Sequence, residues 1–172
     1  MNKAGLKCGA AIGDFDSAKD LPSGVKRIPF SAEKDETDGH LAVMHLIGAG
    51  HKKINIYGAL GGRPDHVAGN INLLAIAREA GAEAVIRDEY TDIYFIADSD
   101  GVNLKCKKGD IISVLPYTEN IAFKSSDGLK YPLDGLTIER LSSRGISNAA
   151  AKDGVSIAVN KGKAFLYVIK GQ

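Results

Sequence analysis

The sequence of 172 residues predicts an α/β fold in which a parallel-sheet domain precedes an antiparallel β domain. Up to about residue 88, short apolar runs alternate with longer amphipathic runs, as in βα units around a parallel sheet. Beyond that point short apolar runs follow one another, and turn sequences separate several of them at roughly 8 to 12 residues, which is typical of a small β-sandwich or barrel. We therefore predict an α/β domain at residues 1–90 and a β domain at residues 91–172.

The first half contains five predicted elements. In chain order they are a strand at 10–12, a helix at 37–47, a strand at 54–57, a helix at 65–80 and a strand at 83–87. Glycines that follow the two helices, Gly48 and Gly81, mark their ends. The side chains expected to face the core are Leu41, Met44, Leu46 and Ile47 in the first helix and Val67, Ile71, Leu74 and Ala75 in the second.

The second half contains only strand patterns. Six strands are predicted, at residues 93–97, 102–105, 111–115, 121–124, 155–159 and 164–169. Turn pairs such as Lys108-Gly109, Asp127-Gly128 and Lys161-Gly162 separate them. Because these runs are too short for helices, we predict an all-β domain.

Composition and charge exclude several classes of protein. The 22 basic and 21 acidic residues give a net charge of +1 without a basic patch, so we expect no nucleic-acid partner. Cys8 and Cys106 lie far apart and match no zinc-binding spacing, which favours a reduced, cytoplasmic setting. No apolar run approaches the ~18 residues of a membrane span, and no signal peptide is recognisable, so we expect neither a membrane anchor nor export.

Acidic residues form two groups in the first half. Asp14 and Asp16 follow the first predicted strand, where ligands of parallel sheets bind, and the segment Lys34–Asp38 precedes the first predicted helix. One or two carboxylates, with substrate phosphates and water, are the usual ligands of Mg²⁺ in such sites. The alternative is that the first group forms a turn and that Asp35 or Thr37 caps the helix. Capping and metal binding can also coexist.

A glycine-rich loop, residues 58–62, follows the strand at 54–57 and precedes the second helix. Gly61 and Gly62 permit close approach of a phosphate, Arg63 can bind it in a bidentate way, and the helix start offers free N–H groups. The loop matches neither the P-loop nor the dinucleotide-binding pattern. Together with the acidic groups it supplies the parts needed for phosphoryl transfer, in which positioning and charge neutralisation do most of the catalysis.

These motifs, in their order and spacing, resemble those of the thiamine pyrophosphokinase family. The resemblance rests on segments 13–17, 34–38 and 58–63, on Asp65, His66 and Asn70, and on segments 128–131 and 145–148. It covers nearly the whole chain. It implies an enzyme that transfers a pyrophosphoryl group from ATP to thiamine, giving thiamine diphosphate and AMP, with Mg²⁺ required.

The resemblance also assigns roles to individual residues. The catalytic and Mg²⁺-binding carboxylates are Asp14, Asp16 and Asp38, of which Asp16 or Asp38 accepts the proton of the attacking hydroxyl. The ATP and phosphate site comprises Ser17, Lys34, Asp35, Thr37, Gly61, Gly62, Arg63, Asp65, His66 and Asn70. The thiamine site comprises Leu129, Tyr131, Ser147 and Asn148, with Tyr131 stacked on the pyrimidine. Without the resemblance, the residues of this last group read as turn and core residues, because Ser-Asn is a common turn pair.

The family further implies a homodimer whose subunits share the active site, and a Rossmann-like first domain. Family chains carry an additional strand, helix and acidic turn before the segment that begins here at Gly13, so we expect an N-terminally shortened, incomplete sheet. Two other hypotheses stay open. The acceptor is another compound such as a pterin, or the chain is a non-catalytic module that binds nucleotide or thiamine.

Overall fold

The computed structural model describes residues 7–15, 24–31 and 35–171 of the chain. The chain divides into two compact units, Met1–His51 and Lys52–Gln172. Ser17 and Lys34, together with Asp16, lie outside the described residues, and so do the roles expected of them. No helix of the described part is long and apolar enough to cross a membrane.

The first unit contains a pair of parallel strands and one helix. Strand β1 (Ala10–Gly13) pairs with β2 (Lys26–Pro29), and helix α1 (Asp38–Gly48) packs against β1. The helix buries Val43, whereas Met44 and Leu46, which we expected to face inward, are exposed. That expectation was wrong because apolar residues occupy nearly every position from 41 to 47, so their spacing does not select one face.

The second unit contains a six-stranded mixed sheet and helix α2 (Pro64–Glu79). The sheet order is β10-β7-β12-β5-β4-β3, with β3 and β4 parallel and the other neighbouring strands antiparallel. Its strands are β3 (Lys53–Tyr57), β4 (Glu83–Arg87), β5 (Thr91–Ile96), β7 (Ile111–Pro116), β10 (Asn148–Ala149) and β12 (Ala164–Ile169).

Helix α2 packs against β4 and β5 through its C-terminal half. Its buried residues are Leu73, Leu74, Ala75 and Ala77. Val67 and Ile71, which the periodicity assigned to the core, are only half-buried because they precede this packed segment.

A second, antiparallel sheet has the strand order β6-β11-β8-β9. Its strands are β6 (Gly101–Leu104), β8 (Asn120–Asp127), β9 (Thr137–Glu139) and β11 (Val155–Lys161). The core draws buried side chains from both sheets, including Ile112 and Leu166 from the six-stranded sheet and Phe123 and Ile157 from the four-stranded one. The two sheets therefore bury their apolar faces together.

The described residues combine two helices with parallel and antiparallel strands, so the prediction of a fold of helices and sheets is confirmed in this coarse form. Parallel pairing is seen in β1–β2 and β3–β4. The six-stranded sheet continues past residue 90, since β4 and β5 are neighbours in it. Strands β2, β9 and β10 were not predicted. β9 and β10 have only three and two residues, and β2 (Lys26–Pro29) has two charged residues and a proline around one isoleucine, so none of them shows an apolar run.

Candidate functional site

The end of β1 adopts an unusual backbone conformation. Gly13 has φ of +150° and Phe15 has φ of +60°, although residues with a side chain rarely adopt positive φ. A Cβ at residue 13 would lie 3.0 Å from Oδ2 of Asp38. Glycine at residue 13 therefore lets the Asp38 carboxylate lie against the main chain. Asp14 is the next residue in the sequence.

The start of α1 shows how Asp38 is held. Thr37 is the N-cap, and its hydroxyl accepts a hydrogen bond from the His40 N–H at 3.3 Å. Asp38 is the first helical residue, where a negative charge interacts favourably with the helix dipole. Of the two capping residues that the sequence left open, Thr37 is the one that caps the helix, and Asp35 is exposed.

The carboxylates at this end of β1 are compatible with a cation that brings further ligands of its own, such as phosphates and water. Among the described residues, no three His, Cys, Asp or Glu side chains cluster as a metal site. One carboxylate, that of Asp38, lies 3.0 Å through its Oδ2 from the position of a Cβ at Gly13, beside the main chain that leads to Asp14. Mg²⁺ is commonly held by one or two protein carboxylates plus phosphates and water, so this donor set is compatible with it.

The glycine-rich loop between β3 and α2 is fixed at its base. Gly58 and Gly62 have φ of +70° and +84°, and the Asn70 side chain donates a hydrogen bond of 3.0 Å to the Ala59 carbonyl. An added Cβ at Gly61 or Gly62 would meet nothing within 4 Å. The loop is therefore held at Ala59 by Asn70, and at Gly61 and Gly62 a ligand can approach its main chain.

Arg63 and Asp65 form an exposed bidentate ion pair at the start of α2. The guanidinium donates from Nε to Oδ1 at 3.2 Å and from an Nη to Oδ2 at 2.6 Å, and the His66 N–H donates to Oδ1 at 2.9 Å. The hydrogen bonds from Arg63, and then that from the His66 N–H, lower the pKa of Asp65 below its usual value. A phosphate that binds Arg63 would compete with this carboxylate for the same fork of N–H groups.

A cleft of about 350 Å³ opens in the β-rich part of the second unit. It is lined by Tyr131, Pro132, Leu133, Leu136, Arg144, Ile146, Ser147 and Asn148. Three of the four residues expected to bind thiamine therefore meet in one cleft. The fourth, Leu129, is buried in the core and forms a β-bridge with Ala150.

The Asn148 side chain joins the two segments of the cleft. Its Nδ2 donates to the Tyr131 carbonyl at 2.7 Å, and its Oδ1 accepts from the N–H groups of Tyr131 at 3.1 Å and Ala149 at 2.8 Å. Ser147 has φ of +63°, and its N–H donates to the Ser113 hydroxyl at 3.0 Å. Asn148 and Ser113 thus fix the main chain on both sides of the Ser147 side chain.

Gly145 sets the position of the same segment against β7. Its carbonyl accepts a hydrogen bond of 2.8 Å from the Val114 N–H. A Cβ at residue 145 would lie 2.1 Å from the Val114 carbonyl oxygen, so only glycine permits this approach.

Sequence reasoning missed Pro132, Leu133, Leu136 and Arg144 of the cleft lining, and it gave no individual role to Lys130 or Ile146, which lie inside the quoted segments. Arg144 and Ile146 line the cleft, and the Lys130 ammonium lies 5.4 Å from the ring centroid of Tyr131. Arg144 directly precedes segment 145–148, and Lys130 and Ile146 lie within the two segments, so proximity to the motifs was the available signal.

Two family models match the chain. "Thiamin pyrophosphokinase, catalytic domain" matches residues 1–86, which is half of the chain, and "Thiamin pyrophosphokinase, vitamin B1 binding domain" matches residues 101–164. The chain belongs to the thiamine pyrophosphokinase family. The family assignment made from the motifs is therefore confirmed.

Relatives from the thiamine pyrophosphokinase family are similar to this chain in sequence or structure over most of its length. A curated thiamine pyrophosphokinase of Bacillus subtilis is 32% identical over 153 residues, which cover 84% of this chain and 71% of the relative. The crystal structure of thiamine pyrophosphokinase from B. subtilis matches with a TM-score of 0.87 at 26% identity, over 99% of this chain and 83% of that one. The thiamine pyrophosphokinase structure from Geobacillus thermodenitrificans matches with a TM-score of 0.81 at 27% identity, over 99% and 81%.

The matched segments separate the two groups of candidate residues. The segment at the end of β1, the start of α1 and the glycine-rich loop lie within the part matched by the thiamine pyrophosphokinase catalytic domain. The cleft lies within the part matched by the vitamin B1 binding domain.

Proposed function

We propose that this chain transfers a pyrophosphoryl group from ATP to the hydroxyethyl group of thiamine. The hydroxyl oxygen bonds to the β-phosphorus, the bond from that phosphorus to the α-phosphate oxygen breaks, and AMP leaves. The hydroxyl gives up its proton, and the second product is thiamine diphosphate. The observation that carries the proposal is the cleft of Tyr131, Ser147 and Asn148 inside the segment matched by the vitamin B1 binding domain.

The acidic residues near β1 would hold Mg²⁺ and accept the proton. We assign metal binding to Asp14, Asp16 and Asp38, with Asp16 or Asp38 as the proton acceptor. When bound, Mg²⁺ neutralises charge on the phosphate oxygens, so that an alcohol can approach them. The Asp38 carboxylate beside Gly13 supports this assignment, because it is held in place without a side chain at residue 13 to cover it.

The ATP phosphates would bind at the glycine-rich loop, where Arg63 exchanges the Asp65 carboxylate for phosphate oxygens. The exposure of this ion pair supports the proposal, since exposed pairs of this kind contribute little to stability and are readily exchanged. The remaining nucleotide-site residues stay as the sequence assigned them: Ser17, Lys34, Asp35, Thr37, Gly61, Gly62, His66 and Asn70.

The thiamine pyrimidine would be bound by Ser147 and Asn148. The Oδ1 of Asn148 already accepts two N–H groups, and one hydrogen of Nδ2 is given to Tyr131. The second Nδ2 hydrogen is the group left to donate to a ring nitrogen. Tyr131, one of the exposed aromatic residues, supplies a stacking surface for the pyrimidine.

We also propose the family's wider organisation for this chain. A Rossmann-like domain at residues 1–90 and an antiparallel sandwich or barrel at 91–172 agree with the two matched segments, which end and begin on either side of residue 90. A cytoplasmic homodimer is proposed in addition. Exposed apolar residues on β7 and β12 support the dimer, since Ile111, Leu115 and Ile169 leave an apolar surface on the six-stranded sheet.

The test is the formation of AMP and thiamine diphosphate from ATP, Mg²⁺ and thiamine, followed by chromatography. We expect both products in equal amounts and neither without Mg²⁺. AMP release with a pterin but not with thiamine would assign another acceptor. Calorimetric binding of thiamine or ATP with no AMP release would refute the enzyme and leave a binding module.

A further inference from the structure

The cleft contains a positively charged side chain, although thiamine has no negatively charged group for it to bind. Arg144 is the only charged residue among the described residues that line it. Within the described part of the chain, no carboxylate pairs with this guanidinium. An arginine in a cleft otherwise lined by apolar and neutral polar side chains is a site for an anionic group.

The Arg144 side chain is exposed, but the main chain that carries it is fixed. The Arg144 N–H donates to the Ser142 hydroxyl at 3.1 Å, and the Ile146 N–H closes a turn onto the Ser143 carbonyl at 3.0 Å. The next residue, Gly145, is pressed against the Val114 carbonyl so closely that no side chain fits. The arginine is therefore presented from an ordered turn.

A second cation, Lys130, lies beside Tyr131, which is one of the residues that line the cleft. The Lys130 ammonium is 5.4 Å from the ring centroid of Tyr131, within the range of a cation–π interaction. The thiazolium ring of thiamine is itself a cation, so two neighbouring cations make the cleft less favourable for free thiamine. A phosphorylated thiamine reverses this effect, because its phosphate groups bring compensating negative charge.

We propose that Arg144 binds the phosphate groups that thiamine acquires, so that the cleft holds thiamine diphosphate more tightly than thiamine. The inference rests on the proposed function, because it concerns the same cleft. The pyrimidine is held by Ser147 and Asn148, and the guanidinium donates two N–H groups to the terminal or bridging phosphate oxygens. Arg144 is thus a product-binding residue that selects by charge.

The experiment is calorimetric titration of the full chain with thiamine and with thiamine diphosphate, for the wild type and for Arg144→Gln. We expect the wild type to bind the diphosphate about tenfold tighter than thiamine, since charge-assisted bonds contribute on the order of one such factor or more. Arg144→Gln should lose about that factor for the diphosphate and raise thiamine affinity by less than twofold. Raising the salt concentration should weaken diphosphate binding and spare thiamine binding.

The matched control is Arg140→Gln, a neighbouring exposed arginine that does not line the cleft. It should leave both affinities unchanged. Arg144→Lys keeps the charge but loses the planar fork, so it should fall between the wild type and Arg144→Gln.

Two results would overturn the inference, and they differ in what else they overturn. If Arg144→Gln weakens thiamine and thiamine diphosphate equally, or neither, then Arg144 does not select phosphate, while the proposed function stands. If the wild type binds neither compound, the cleft is not the thiamine site. The proposed function is then unsupported as well, because it rests on thiamine binding in this cleft.

Discussion

Replacing Gly13 by alanine tests whether the Asp38 carboxylate acts in the reaction. The new Cβ would lie 3.0 Å from Oδ2, 3.2 Å from Cγ and 3.4 Å from Oδ1 of Asp38. Ordinary contact begins near 3.4 Å, so the carboxylate must move by about 0.4 Å. If a misplacement of about 1 Å costs on the order of a hundredfold in rate, this movement costs about fivefold to tenfold.

The substitution also strains the main chain. At φ of +150° an alanine is unfavourable by about 1–3 kcal/mol, so the melting temperature should fall as well. The assay therefore compares AMP formation with thermal unfolding, and it is run at a temperature at which both proteins are fully folded.

The control is Gly9→Ala, just before β1. A Cβ there would meet nothing within 4 Å, and this glycine does not have positive φ. We expect it to keep both activity and stability. If Gly13→Ala retains full kcat while the folded protein is intact, the location of the Asp38 carboxylate does not matter to catalysis, and the role proposed for Asp38 is refuted.

Three further substitutions test the cleft and the glycine-rich loop. Asn148→Ala removes the side-chain hydrogen bonds to Tyr131 and should lower the free energy of unfolding by about 1–2 kcal/mol in denaturant titrations, with loss of thiamine binding in calorimetry. Gly145→Ala forces a Cβ to within 2.1 Å of a carbonyl oxygen and should cost about 3 kcal/mol or more in the same titrations. Arg63→Gln removes the first cause of the lowered pKa of Asp65, so an NMR titration of that carboxyl should show its pKa raised. The lowered pKa of Asp65 stabilises the folded state at pH values above the pKa that Asp65 has in the unfolded chain, and this stabilisation is lost as the pH falls. Because the variant lacks it, the free energy of unfolding of the variant should fall less between neutral and acidic pH than that of the wild type.

Each of these has an outcome that contradicts it. Gly101→Ala, where a Cβ meets nothing within 4 Å, is the control for Gly145→Ala, and equal free energies of unfolding in the two variants would show that the close approach does not constrain residue 145. Unchanged thiamine affinity in Asn148→Ala would remove Asn148 from the thiamine site. An Asp65 pKa that does not move in Arg63→Gln would show that the ion pair is not formed in solution.

The sequence located the long elements because their patterns are local. The strand from 83 to 87 was predicted with the bounds that the structure has, and both helices were predicted to within a residue at each end. The inward face of α1 was not predicted, because apolar residues lie on all sides of that helix. Only packing against the rest of the unit selects Val43 as the buried residue. Pairing partners were equally out of reach, since β12 lies between β5 and β7 through contacts far apart in the chain.

The candidate site divides along the same line. By itself the sequence determined the residue types, their order and the family, because these are properties of short motifs. Only the tertiary structure decided that Tyr131 and Asn148 share hydrogen bonds 17 residues apart and that Leu129 lies in the core instead of the cleft. Only the tertiary structure added Arg144 to the cleft. A lone arginine has no recognisable pattern, and its surroundings are set by a turn fixed against another strand.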